Sequence, residues 1–99
     1  MESYKDILSR LGQRARRLRM LREMRQAELA ERAGVAKGTV MRFEQTGRAS
    51  VENVLRIAKV LGVADGLEKL FEPPKFRTFD EAMQAPPRER QRVRPRRRR

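Results

Sequence analysis

The sequence predicts an all-α protein, a compact domain of five helices followed by a disordered, arginine-rich tail. Three observations carry that expectation. Apolar residues recur at intervals of three and four over five successive stretches, most of these stretches stop at a glycine or a proline pair, and composition changes abruptly at Pro86-Pro87. No period-two alternation calls for a sheet, with residues 75–79 the one short segment left open.

The first helix carries Ile7, Leu8, Leu11, Ala15, Leu18 and Leu21 on its apolar side, with Ser3 and Asp6 spaced as a capping box and an interruption expected near Gly12. Its other faces hold Arg10, Arg14, Arg16, Arg17, Arg19, Arg22 and Arg25. The second, Gln26 to Ala33, places Leu29, Ala30 and Ala33 inward and stops at Gly34, a residue that tolerates the left-handed conformation ending a helix. The third, Lys37 to Gln45, turns Val40 and Phe43 inward before Thr46-Gly47. Ser50 caps the fourth, whose buried stripe is Val51, Val54, Leu55, Ala58 and Leu61 and whose terminator is Gly62. The fifth is expected to start at a capping Asp65, with Glu68 reaching back, and to carry Leu67, Leu70 and Phe71 up to Pro73-Pro74. Beyond the prolines, Thr78 and Glu81 are spaced to cap a last turn through Met83. The expected organisation is a domain over 1–72, a short extension over 73–85 and a tail over 86–99.

Composition limits what such a domain can do. The 99 residues include 25 Lys and Arg against 13 Asp and Glu, a net charge of +12, with no Cys and no His. Disulfides, zinc fingers, thiolate nucleophiles and imidazole bases are therefore excluded, and without a phosphate-cradling Gly-rich loop neither an enzyme nor a bound cofactor or metal is expected. The N-terminus lacks an apolar stretch of signal-peptide length and nowhere do 18 apolar residues run together, so a cytoplasmic, nucleoid-associated protein with no membrane partner is expected. Guanidinium groups fork onto phosphate, so the surplus points to a polyanion, with nucleic acid the default. The surplus is unevenly spread. Residues 86–99 hold eight arginines against Glu89, a net +7, while residues 1–85 hold 17 basic and 12 acidic side chains, a net +5.

Residues 26–45 carry the motif. Two short helices meeting at a steep angle need a small residue at the contact, here Ala30, and a turn-former four residues on, here Gly34. Each must also supply an apolar plug, and Leu29 faces Val40 and Phe43. This is a helix-turn-helix arrangement, whose second helix fits the major groove of duplex DNA. Leu29-Ala30-Glu31, Ala33-Gly34-Val35, Thr39-Val40 and Arg42-Phe43-Glu44, followed by Ile57-Ala58-Lys59-Val60-Leu61-Gly62-Val63, make residues 12–71 resemble the Cro/cI-type family, also called lambda-repressor-like or xenobiotic-response-element. The resemblance implies a five-helix domain that binds operator double-stranded DNA, usually as a homodimer.

Carried over position by position, the resemblance implies that Lys37, Gly38, Met41 and Arg42 are the reading positions, with Arg42 the first candidate for guanine and Lys37 the second. Gln26 matches a glutamine that touches a phosphate or an adjacent base edge. Thr39 is either a phosphate contact or a packing residue, and Thr46 and Arg48 are expected at phosphates. Arg19 and Glu44 match a partly buried ion pair, which makes Arg19 structural. The chain departs from the family by placing Arg25 and Ala36 where Ser or Thr caps the second and third helices, and Gly38 offers no side chain for readout, which shifts weight to DNA shape. Leu67, Leu70, Phe71, Phe76 and Phe79 exceed what one end of a small core needs, so they either close its base or form a dimer interface. The expected function is that of a homodimeric repressor. The alternative is an antitoxin that binds a toxin protein through residues 72–85, where Glu72, Asp80 and Glu81 lie among aromatics. RNA binding is a weaker reading, because no stacking aromatics sit on a basic surface.

Overall fold

The computed structural model describes residues 2–74 of the chain. Five α-helices follow one another: α1 (Tyr4–Leu21), α2 (Gln26–Ala33), α3 (Lys37–Thr46), α4 (Val51–Leu61) and α5 (Ala64–Glu68), with no strand among the described residues. The first begins with the expected capping box, in which the Ser3 hydroxyl accepts from the Asp6 N–H and the Asp6 carboxylate accepts from the Ser3 N–H, each at 3.3 Å. Ser50 likewise accepts from the Asn53 N–H at 3.1 Å and caps α4.

Gly12 does not interrupt α1. It is buried, and a Cβ there would overlap the Phe43 carbonyl oxygen and stand 2.9 Å from that of Glu44. Gly47 makes the reciprocal approach from the end of α3. At φ +75° it occupies the left-handed region, and a Cβ would overlap the Leu8 carbonyl oxygen and stand 2.8 Å from its Cα. Two glycines thus let α1 and the last turn of α3 meet backbone to backbone.

The core forms around that crossing. Leu29, Val40, Ile57 and Leu61 are fully enclosed, joined by Phe43, Ala30, Ala33, Ala58 and Met24. Each enclosed branched side chain contributes roughly 1.5–3 kcal/mol by leaving water. α1 packs on α3 and α4, and α2 packs on the same two helices, so α3 is held from two sides.

Three expectations at helix ends are corrected. Leu21 and Val51 belong to the apolar periods but are exposed, because each sits at a helix terminus that overhangs the core, and the stripe of α4 is centred on Val54, Ile57, Ala58 and Leu61 instead. Asp65 does not cap α5. The Val63 N–H bonds the Ala58 carbonyl at 2.9 Å and the chain turns straight from the end of α4 into α5, so the capping position falls on Val63 and Asp65 lies inside the first turn. α5 stops at Glu68, and Leu70 and Phe71 lie beyond it, exposed, with Phe71 at a left-handed φ of 69° that a continuing helix does not allow. Met1–Lys69 form one compact unit containing all five helices. Phe76 and Phe79, the open segment 75–79, the turn through Met83 and the tail over 86–99 lie outside the described residues.

Candidate nucleic-acid interface

The turn between α2 and α3 is built from its backbone. Gly34 takes φ +74° and its N–H donates to the Glu31 carbonyl at 3.2 Å, while the Val35 N–H donates to Ala30 at 3.0 Å. α3 therefore leaves α2 at a fixed angle with Val40, Phe43 and Glu44 turned inward.

An ion pair fixes α3 from behind. Arg19 Nε donates to Glu44 Oε2 at 2.6 Å and Nη2 to Oε1 at 3.1 Å, and the third donor, Nη1, reaches the Met24 carbonyl at 2.8 Å. Both residues are buried. A carboxylate removed from water is tolerated because its oxygens are fully engaged in a fork-to-fork geometry. The family resemblance anticipated this pair but not its third member. Gln26, the first residue of α2, donates Nε2 to Glu44 Oε1 at 3.0 Å. Since a carboxylate only accepts, the amide nitrogen must face Glu44, and the Gln26 oxygen with one N–H is left for other partners.

The opposite side of α3 is exposed. Lys37, Gly38, Met41, Arg42 and Gln45 recur with the spacing of one helix face, and neither Lys37 nor Arg42 forms an ion pair among the described residues. Open space surrounds Gly38, which leaves a flat spot between cationic side chains. Thr39 is half-buried at the flank of this face, and Arg48 is exposed in the loop after α3. Thr46 is more committed than its sequence position suggested. Its hydroxyl donates to the Arg42 carbonyl at 2.8 Å and accepts from the Arg48 N–H at 3.1 Å, so its single proton is already used and it positions Arg48.

Arg25 and Ala36, at the capping positions of α2 and α3, make no side-chain cap bond, unlike Ser3 and Ser50. The two uncapped helices are the two halves of the motif. In α3 the Thr39 N–H donates to the Ala36 carbonyl at 3.0 Å, but no side chain serves the N–H groups of Lys37 and Gly38 or those of the first turn of α2, a disposition that favours an anion at both starts. No group of metal-ligating residues occurs among the described residues.

A firmly backed helix with an exposed cationic face, set against a second short helix across a glycine turn, defines the helix-turn-helix class of DNA-binding regulators. The chain belongs to the helix-turn-helix domain family, within the Cro/cI-like group, and matches it over residues 10–71. No curated protein matches it closely. No helix of the described residues is long and apolar enough to cross a membrane.

Proposed function

We propose that this protein is a sequence-specific transcriptional regulator, a homodimeric repressor that inserts α3 into the major groove of double-stranded DNA. The observation that carries the reading is the exposed outer face of α3, where Lys37 and Arg42 lack partners among the described residues while the inner face of the same helix is packed and ion-paired. Arg42 reads guanine through O6 and N7, Lys37 reads a neighbouring base, and Met41 offers an apolar contact such as a thymine methyl group favours. Arg48, Thr39 and the open N–H groups at the starts of α2 and α3 hold phosphates and set the register. Gln26 joins them through the amide atoms that Glu44 leaves free. Leu67, Leu70 and Phe71, with Phe76 and Phe79 beyond the described residues, supply the dimer contact. Two such domains would read half-sites about one helical turn apart and occlude a promoter.

Selection of bound sequences from a random duplex pool tests this directly. A two-fold symmetric site is expected, and Arg42→Ala and Lys37→Ala should each relax the selection at separate positions. If neither variant changes the selected sequence, α3 is not the reading element. The arginines of 86–99 act as a phosphate clamp without sequence preference. Removing them should weaken binding to all duplexes alike and lower the log-log salt slope by about 0.9 for each phosphate no longer neutralised, and an unchanged slope would reject the clamp.

A further inference from the structure

Gly38 stands on the outer face of α3 without a reason in the fold. Glycine inside a helix is destabilising relative to Ala, so its presence there needs an explanation. At Gly12 and Gly47 a close backbone approach supplies one, and Gly47 also takes a left-handed φ. Gly38 has neither. Its φ is not left-handed, and a Cβ added to it would meet no atom within 4 Å. Gly66 is equally open, but it stands beside Asp65 in the five-residue α5, off the cationic face of α3.

The neighbours of Gly38 indicate what fills the gap. Met41, Arg42 and Gln45 follow it at i+3, i+4 and i+7, so the four share one helix face, and all are exposed. The gap therefore lies within the reading face and not at its flank, where Thr39 is half-buried. A missing side chain makes no hydrogen bond. It can favour one base over another only by admitting an atom that a Cβ would exclude, and the apolar protrusion in the major groove is the C5-methyl group of thymine. We infer that Gly38 is a specificity-determining residue whose gap receives that methyl group, and that a side chain as small as that of Ala excludes it. The thymine lies within about two base pairs of the guanine read by Arg42, since four residues of helix rise about 6 Å and each base pair about 3.4 Å. Met41 makes its apolar contact by reaching outward, whereas Gly38 acts by leaving room, so the two are separable. The inference rests on α3 being the reading helix.

The test uses the full chain and the duplex recovered by selection, with each thymine replaced singly by deoxyuridine. That replacement removes the methyl group and keeps every hydrogen-bonding group of the base. Fluorescence anisotropy at constant salt should find one position in each half-site where it weakens binding about fourfold, the effect of burying one methyl group. Gly38→Ala should weaken binding to the thymine duplex at least about tenfold and should now prefer deoxyuridine at that position, because the two methyl groups compete for one space. Met41→Ala should leave the thymine preference there intact. The melting temperature of Gly38→Ala should not fall, since Ala is the better helix former and meets nothing in the free protein, so a loss of binding is not a loss of fold. No position sensitive to deoxyuridine, a thymine preference that survives in Gly38→Ala, or one that disappears in Met41→Ala would overturn the inference. If Arg42→Ala still relaxes the selection at its own base, the failure belongs to Gly38 alone. If neither Arg42→Ala nor Lys37→Ala changes the selected sequence, the reading by α3 fails and this inference fails with it.

Discussion

On its inner side α3 presents Val40, Phe43 and Glu44 with almost no surface left exposed, and Gly12 and Gly47 bring α1 against its last turn with no side chain between. On its outer side the same ten-residue helix presents Lys37, Gly38, Met41 and Arg42 to solvent with no ion pair among the described residues. A single helix thus spends one face on being held and the other on remaining available. The division teaches that mutational effects should separate cleanly, inner substitutions acting on stability and outer ones on DNA affinity.

The largest effect is expected at Glu44. Glu44→Ala leaves the Arg19 guanidinium buried without its carboxylate, which costs about 3–5 kcal/mol, a large share of what a domain of this size possesses. Urea unfolding should find the variant mostly unfolded at room temperature, and a loss below about 1 kcal/mol would show that Arg19 escapes to solvent. Gly47→Ala comes next. The added methyl overlaps the Leu8 carbonyl and the backbone must keep a left-handed φ, so a loss of about 3 kcal/mol is expected from overpacking and strain together. Gly12→Ala should behave similarly without the φ component, and an unaffected melt for both would mean that α1 and α3 cross at a greater distance than backbone contact requires.

These two sites also show where sequence reading succeeded and where it stopped. The boundaries of α2 and the identity of the inner plugs were legible because apolar period and glycine position agree over residues 26–47. The Arg19–Glu44 pair was legible only through the family resemblance. Gly12 reads as a helix breaker, yet a glycine within an unbroken three-four apolar period is itself a sign of close packing, since it costs about 0.5–1 kcal/mol relative to Ala and must be offset. Gln26 bonding Glu44 had no local signal, because it depends on how α2 and α3 cross. The start of α5 was illegible for a similar reason. Asp65 has the chemistry of a cap, but the carbonyl of Ala58 captures the Val63 N–H and the capping position falls earlier in the chain, on Val63. The exposure of Lys37, Met41 and Arg42 follows from the same apolar period, whereas a base-reading role does not, because a reading side chain and a solvated one occupy the same positions of that period.

The outer face should give smaller changes of a different kind. Arg42→Ala should cost about 1–3 kcal/mol of discrimination at a single base position while the unfolding free energy stays within about 0.5 kcal/mol of the parent. A variant that lost both affinity and stability would blur the two faces. Lys37→Ala should give a lesser loss, with a lysine acting more as a point charge than as a fork.

The smallest expected change sharpens the comparison most, because it should move the two properties in opposite directions. Ala36 stands at the capping position of α3 and makes no side-chain bond, so where Ser50 serves the Asn53 N–H through its hydroxyl, the Thr39 N–H has only the Ala36 carbonyl at 3.0 Å and the Lys37 and Gly38 N–H groups have no side-chain acceptor. Ala36→Ser supplies an acceptor and should stabilise the fold by about 1 kcal/mol, raising the melting temperature by roughly 4–8 °C for a domain this small. In the complex, however, a phosphate oxygen would now compete with the new hydroxyl for those same N–H groups. DNA affinity should fall modestly as stability rises. A rise in melting temperature with undiminished affinity would remove the start of α3 from the phosphate contacts, and no rise at all would mean that the cap geometry already satisfies those groups by another route.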